Sequence, residues 1–345
     1  MDKVRLGKTE LYVSKPAMGC LPIQRCEKDY AIKLLLSAYN KGINYFDTAN
    51  AYTDSEEKIG LALADVRENI VISTKSGAHD KETILLHIEN SLKMLKTSYI
   101  DLFQFHKLEE LPDFNDPEGI YSAALIAKER GWIKHIGFTT HRIDVAEKGI
   151  ESGMFETCQF PFSYISSDRD LALAKKCKDN DMGFIAMKGL AGGMLSNAEA
   201  CTAFMNQYDN VVPIWGIQKL EELDEWIEYS NMDLHLNDEI AAFINEERNA
   251  LSKNFCRSCG YCMPCTVGIE IRNCARMDML LRRSPWQEYM SDEWYAKMMK
   301  INDCINCRQC VSKCPYGIDQ PSVLKYMLND YLEFYKTHKP LMGSD

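Results

Sequence analysis

Between residue 15 and about residue 215, short apolar runs rich in β-branched and aromatic residues alternate with longer segments whose apolar positions recur every three and four residues. The runs KPAMGC, INYFDTA, NIVISTK, IDLFQFH, WIKHIGFTT, TCQFPF, GFIAMKG and VVPIWGI predict buried strands. Helix-length patterns lie between them, among them 27–42, 81–96 and 170–181. Strands that are apolar throughout, separated by amphipathic helices, imply a parallel sheet covered by helices. Eight such strands favour a (β/α)8 barrel over an open doubly wound sheet, and no G-x-G-x-x-G follows any of them, so a Rossmann nucleotide site is not supported. A last helical pattern over 236–253 leads into a cysteine-rich segment, which sets the expected domains at 1–250 and 251–345. Beyond residue 315, DQPSVLKYMLNDYLEFYKTH predicts a terminal helix whose Met, Tyr and Leu stripe reads as core.

Length and charge narrow the picture. A chain of 345 residues accommodates one large barrel and a small appended domain. Apolar residues make up 46% and charged residues 26%, a globular balance, while a net charge of −10 argues against a nucleic-acid or anionic-membrane partner. The stretch MDKVRLGKTELYV is too charged for a secretion signal, and the longest mostly apolar run, GFIAMKGLAGGML, is about half a membrane span and contains Lys188. A soluble, cytoplasmic protein is expected. Disulfides are rare in that compartment, so the 14 cysteines read first as metal ligands.

Eight of those cysteines have ligand spacing. CINCRQCVSKCP is C-x2-C-x2-C-x3-C-P, the bacterial ferredoxin run whose fourth cysteine ligates the other cluster. CRSCGYCMPC is an irregular copy, with a final x2 spacing and Thr266 where proline is usual. The crossing rule assigns Cys256, Cys259, Cys262 and Cys314 to one cluster and Cys304, Cys307, Cys310 and Cys265 to the other, the short spacing bearing mainly on Cys265. Zinc is the competing reading, but a zinc site closes with four ligands and has no use for triplets. Two [4Fe–4S] clusters are expected. Cys20 and Cys26 flank LPIQR, either lining a site mouth or packing as small hydrophobes, and Cys158, Cys177, Cys201 and Cys274 read as buried hydrophobes.

In a barrel of this kind, chemistry gathers at the C-terminal ends of the strands. Asp47 and Tyr52 follow the second strand in YFDTANAY, Lys75 ends the third in VISTK, and His106 ends the fourth in DLFQFH. A carbonyl that accepts hydride becomes an alkoxide and needs a proton, which a tyrosine supplies well when a neighbouring cation stabilises its anion. Lys75 is placed to lower the pKa of Tyr52, Asp47 to keep Lys75 protonated and oriented, and His106 to donate to the carbonyl oxygen. Each residue alone has a structural alternative, as a buried ion pair, a barrel-capping ring or a core histidine.

With LGKTELYVSKPAMG, GINYFDTANAY, SEEKIGLAL, ISTKSG, IDLFQFH, GWIKHIGFTTH and GFIAMKGLAGGML, covering most of residues 5–195, the sequence resembles the aldo-keto reductase superfamily. The cysteine segment resembles the ferredoxin-type extension, with two [4Fe–4S] clusters, carried by one branch of that superfamily. The resemblance implies an oxidoreductase acting on the carbonyl/alcohol pair of a small organic substrate; histidine at position 106 goes with carbonyl reduction, glutamate there with reduction of steroid double bonds. It implies an NAD(P)H site in which Gln159, beside Thr140 and His141, holds the nicotinamide carboxamide. Met187 stands where a stacking ring is common and is followed by Lys188, while Gly216 and Lys219 belong to the segment that meets the nucleotide phosphates. Glu222 and Trp226 stand where NADP-binding members place arginine and asparagine, and a carboxylate there repels a 2′-phosphate.

Hydride carries two electrons and a cluster passes one, so coupling the two normally takes a flavin, for which the sequence shows no motif. Two further readings therefore stand beside nicotinamide-linked reduction. One is a nicotinamide-independent reductase fed by a ferredoxin or flavodoxin partner; the other is a barrel retained as a redox-sensing or binding module. Arg276, Arg282 and Arg283 are the candidate basic patch for an acidic electron partner, with an ordinary solvated face as the alternative.

Overall fold

The structure, a computed structural model, describes residues 3–251, 255–283 and 286–339. The chain divides into two compact units, one made of residues 1–189 and 197–242, the other of residues 190–196 and 243–345. Eight parallel strands close the barrel of the first unit: β3 (Ala17–Gly19), β4 (Tyr45–Asp47), β5 (Val71–Ser76), β6 (Ile100–Phe105), β7 (Ile133–Thr139), β8 (Thr157–Pro161), β9 (Gly183–Met187) and β10 (Val211–Gly216), with β10 pairing back onto β3. These strands coincide with the eight apolar runs. The periodic segments between them form the helices Lys28–Asn40, Lys81–Met94 and Asp168–Asp179. Two of these helices start on side-chain caps: Asp80 accepts from the Thr83 amide, and Ser167 exchanges bonds with Asp170 in a capping box.

Two strands precede the barrel. β1 (Lys3–Arg5) and β2 (Tyr12–Ser14) form an antiparallel hairpin that hydrophobic alternation does not reveal, because each strand is only three residues long. Leu6 and Val13 of this hairpin are fully buried in a cluster with Ala17, Tyr45, Val71, Leu102, Ile185, Val212 and Ile214, the inward-facing residues of six barrel strands. The hairpin thus stops the barrel at the N-terminal ends of its strands. Gly7 makes the docking feasible: its φ is +54°, and a Cβ there would lie 2.3 Å from the Gly183 nitrogen at the start of β9. Any side chain at position 7 would push the hairpin off the barrel floor.

In the second unit the helices Ile271–Cys274, Met277–Arg283 and Asp292–Met299 pack with the terminal helix Gln320–His338. Val323, Leu324, Met327, Leu328 and Tyr331 are buried along one face of that helix, the spacing that the apolar stripe predicts. Tyr331 donates its hydroxyl to the Tyr289 carbonyl at 2.8 Å, and Arg282 pairs with Asp330 through two bonds of 2.6 and 2.7 Å. Of the candidate basic patch, Arg276 is buried and so does not belong to the surface, Arg282 is paired with Asp330, and the Arg283 side chain lies outside the described residues. Among the described residues, no helix is long and apolar enough to cross a membrane.

Leu6 is 0% exposed and its atoms come within 3 Å of where a Gly183 side chain would begin, so the site has little room to collapse. Leu6→Ala should destabilise the barrel by about 2–5 kcal/mol, read as a fall in the urea midpoint with the m-value unchanged.

Candidate active site and cysteine centres

Parallel register brings the polar ends of successive strands side by side. Asp47 lies opposite Ser73, Lys75 opposite Gln104, and Thr139 opposite Gln159. Because side chains alternate across a strand, the inward residue before Lys75 on β5 is Ser73, and the one before His106 at the end of β6 is Gln104. All four line one polar layer above the apolar floor.

At the centre of that layer the Lys75 ammonium contacts Asp47 Oδ2 at 2.6 Å, with 1% and 3% of the two side chains exposed. Lys75 also donates to the Thr48 carbonyl. The other Asp47 oxygen accepts from the Ser73 hydroxyl at 2.6 Å and more weakly from Gln104 Nε2 at 3.4 Å. Ser73 in turn accepts from the Tyr45 hydroxyl at 3.0 Å. Both charges therefore have the extra hydrogen bonds that a buried pair requires. Burial works against the Lys75 charge, but Asp47 and then Tyr52 outweigh it and hold the ammonium above its ordinary pKa.

Tyr52 and His106 complete the constellation. Their rings meet edge to face with centroids 5.9 Å apart, and the Lys75 ammonium is 5.4 Å from the Tyr52 ring centre. Burial raises the Tyr52 pKa; Lys75 opposes that shift without reversing it, so the residue is a neutral phenol at neutral pH. This is a weaker effect of Lys75 than charge pairing alone suggests, because desolvation is the larger influence. Burial, followed by the charges of Lys75 and Lys107, lowers the His106 imidazole to about 3. It is a neutral hydrogen-bonding group, not a cation, through the physiological range.

Sequence reasoning missed Ser73, Gln104 and Glu56. The first two carry a legible signal, since each stands two residues before a tetrad member on its strand and so faces the same way. Glu56 does not: it is a 5%-exposed carboxyl that accepts from the Thr74 hydroxyl at 2.5 Å and whose pKa burial raises against its bonds to Thr74 and Ser91. Cys20 is fully buried next to this centre, with its thiol pushed up by burial and by Asp47, so it stays protonated. Cys26 is half-buried, its thiol donating to the Gln218 carbonyl at 3.5 Å.

The residues expected around a nicotinamide divide into two groups. Gln159 is buried and its Oε1 accepts from Gln104 at 2.8 Å, which joins it to the Asp47 network. Thr140 donates its hydroxyl to the Leu108 carbonyl and accepts from the Arg142 amide, so its only donor is spent within the loop. Met187 packs on the barrel's interior cluster, and Lys188 follows it with a φ of 58°.

The segment after β10 is arranged differently. At the start of the helix Leu220–Asn231, Gln218 N and Lys219 N, just before it, donate to Glu222 Oε2 at 2.9 and 3.2 Å, and Leu220 N donates to the Tyr30 hydroxyl at 3.2 Å. Helix N-termini bind phosphate; at this one a carboxylate stands over the two preceding amides and a phenol takes the first helical one. Gly216 and Lys219 are exposed beside it, and Pro22 packs over Gly216. Trp226 is 4% exposed and stacked on Trp215 with centroids 3.9 Å apart, so it is a core residue.

The cysteine unit contains two groups of thiols. Cys256, Cys259, Cys262 and Cys314 line one cavity; Cys265, Cys304, Cys307 and Cys310 line another, of which Cys262 also forms part. The two triplets share a backbone conformation: Ser258 and Gly260 in the first, and Asn306 and Arg308 in the second, occupy corresponding positions and all have φ between 51° and 86°. Repeated left-handed residues between cysteines turn each triplet around a common centre. The shorter spacing before Cys265 still brings that residue to the second group. Among the described residues, no three His, Cys, Asp or Glu side chains converge as they would on a single ion, and the donor set, eight thiols around the two cavities, suits multi-iron clusters.

Comparison with known proteins agrees with this division. Residues 18–203, more than half of the chain, match the aldo/keto reductase family. The chain belongs to that family. Residues 255–319 match the 4Fe-4S dicluster domain, which implies two clusters on this aldo-keto reductase. A Bacillus subtilis protein described as the uncharacterized oxidoreductase YqkF is 25% identical over 71% of this chain and 83% of its own length. The NADH-specific methylglyoxal reductase of Escherichia coli is 26% identical over 57% of this chain and 69% of its own length. Among solved structures, the Bacillus halodurans aldo-keto reductase AKR11C1 in its holo form superimposes with a TM-score of 0.63 at 22% identity, over 71% of this chain and 96% of that one. A Klebsiella pneumoniae aldo-keto reductase in complex with NADPH gives 0.61 at 19% identity, over 72% and 95%. At these identities the structural likeness speaks for the fold alone.

In a titration followed by NMR, the His106 ring resonances of this aldo-keto reductase should stay in place between pH 8 and pH 5. A His106 midpoint near 6.5 would show that desolvation does not control that residue.

Proposed function

We propose that this aldo-keto reductase reduces a small carbonyl compound to the alcohol, with NADH as hydride carrier and Tyr52 as proton donor. The observation that carries the reading is the fully satisfied Asp47–Lys75 pair placed against Tyr52 and His106. A nicotinamide bound beside Gln159 would supply the hydride. His106, neutral, donates a hydrogen bond to the carbonyl oxygen, and Tyr52, a phenol at neutral pH, delivers the proton as charge develops on that oxygen. The Lys75 ammonium then faces the phenolate, and Asp47 keeps the ammonium charged and aimed. Gln159, held by Gln104, is the polar group we assign to the nicotinamide carboxamide, with Thr140, Met187, Lys188, Gly216 and Lys219 as the flanking wall.

The preference for NADH rests on Glu222. A 2′-phosphate brought to the start of the helix Leu220–Asn231 meets a carboxylate that already holds the amides. The cysteine groups are read as ligands of the two [4Fe–4S] clusters, Cys256, Cys259, Cys262 and Cys314 for one and Cys265, Cys304, Cys307 and Cys310 for the other. A second reading, carbonyl reduction fed by a ferredoxin or flavodoxin without a nicotinamide, is favoured by the same closed helix terminus together with the core placement of Trp226.

Two measurements on the protein prepared without oxygen test these assignments. Calorimetry should show NADH binding at least about tenfold more tightly than NADPH, about 1.4 kcal/mol, with Glu222→Gln narrowing the gap; equal affinities would remove the role of Glu222, and no binding of either would favour the second reading. Tyr52→Phe should lower kcat/KM for carbonyl reduction by about 10²-fold or more with the cluster absorbance unchanged, and an unimpaired variant would remove Tyr52 as proton donor.

A further inference from the structure

The two thiol groups differ in exposure, and a buried arginine, Arg276, stands near the less exposed one, whose cavity Arg257 and Arg272 line. Cys256 and Cys262 of the first group are 6% and 8% exposed, whereas Cys304 and Cys307 of the second face solvent. A cluster held by four thiolates is an anion and gains a further negative charge on reduction, so burial lowers its potential relative to an exposed one. Left to desolvation, the inner cluster would be the harder of the two to reduce.

Arg276 opposes that trend. It precedes the helix Met277–Arg283, is 8% exposed, and its Nε and Nη1 atoms are buried with no hydrogen-bond acceptor among the described residues. A buried guanidinium without an anionic partner is costly. Arg276 lines one cavity with Phe255, the residue before Cys256 of the first group; burial drives its pKa down, Cys256 opposes that, and Arg272 adds to it. Gly192 approaches the same guanidinium with a φ of +74°, at a point where a Cβ would stand 3.1 Å from Nη1, so bare backbone seals that side. What Nε and Nη1 lack among the described residues, an anionic cluster on Cys256 would supply.

The exposed group has a different device. Thr266, in place of the usual proline, lies 3.5 Å from Cys307 Sγ through its hydroxyl. A hydrogen bond to a ligand sulfur also raises potential, by a smaller and purely local effect.

We propose that Arg276 sets the reduction potential of the buried cluster, lifting it toward that of the exposed cluster so that the pair works over one range of potential. Arg276 is a tuning residue that acts through Cys256, and the proposal rests on the assignment of the two cysteine groups as cluster ligands. The test is a redox titration of the full-length protein followed by electron paramagnetic resonance, with iron and sulfide counted, for the wild type, Arg276→Met, Arg276→Lys and Thr266→Val. In Arg276→Met one cluster should fall in potential while the other holds; Arg276→Lys, which keeps the charge, should recover much of the shift; Thr266→Val should lower the other cluster and leave the first in place. Two clusters titrating as in the wild type in Arg276→Met would overturn the role of Arg276 while leaving the ligand assignment standing. Should Arg276→Met fail to hold its clusters, Arg276→Gln decides in its place, an unshifted potential again counting against the proposal. A wild-type protein that holds fewer than two clusters would sink the ligand assignment and the proposal together.

Discussion

The buried ion pair between Asp47 and Lys75 is the constraint around which the barrel's polar layer is organised. Two opposite charges with almost no solvent contact are tolerated only if each has further hydrogen bonds, and the structure provides them from three neighbouring strands: Ser73 and Gln104 on Asp47, the Thr48 carbonyl on Lys75, and Tyr45 behind Ser73. None of these contacts is local in sequence. They exist because β4, β5 and β6 run parallel in a register that aligns their last inward residues, and that register depends on the closed barrel and its hairpin floor. Tyr52 and His106 then inherit their electrostatics from the pair: one phenol kept neutral by burial but facing an ammonium, one imidazole held neutral in part by the same ammonium.

How much of this was legible in the sequence depends on the range of the interaction. The eight strands and the long helices follow from local periodicity, and the positions of Asp47, Tyr52, Lys75 and His106 at strand ends follow from the strands. Ser73 and Gln104 were also within reach, because a two-residue step along a strand returns to the same face. The hairpin β1–β2 was not, since its three-residue strands are specified by what Leu6 and Val13 meet on the barrel floor. Nor was the state of Glu222: the reading that the family resemblance implies, a charge opposed to a phosphate, is compatible with a free carboxylate, whereas the structure uses it to cap the Gln218 and Lys219 amides. Arg276 is a sharper instance. On sequence it belongs with Arg282 and Arg283 as surface charge, yet packing buries the first and pairs the second.

The cysteine unit shows the opposite balance. Ligand spacing is a short-range property, so the grouping of cysteines in CRSCGYCMPC and CINCRQCVSKCP was readable before any fold, and the repeated left-handed residues at 258, 260, 306 and 308 give that spacing its backbone form. What spacing does not carry is environment. Both triplets have the same local geometry, and only the fold makes one buried and the other exposed.

That inequality links the two units by a common physical rule. In the barrel, a buried carboxylate makes a buried ammonium tolerable, and the ammonium in turn faces the phenol that would carry negative charge during turnover. In the cysteine unit, a buried guanidinium has no acceptor for Nε and Nη1 among the described residues, and Cys256 favours its charge. Each unit thus places a desolvated cation where negative charge is to be accommodated, and in a low-dielectric interior a fixed cation is effective because little water competes with it. The difference lies in the partner. Lys75 has its counter-ion built in as Asp47, so its charge is secured by the fold alone, whereas Arg276 takes its counter-charge from the ligand group it adjoins, which makes its burial and the oxidation state of that group two sides of one equilibrium.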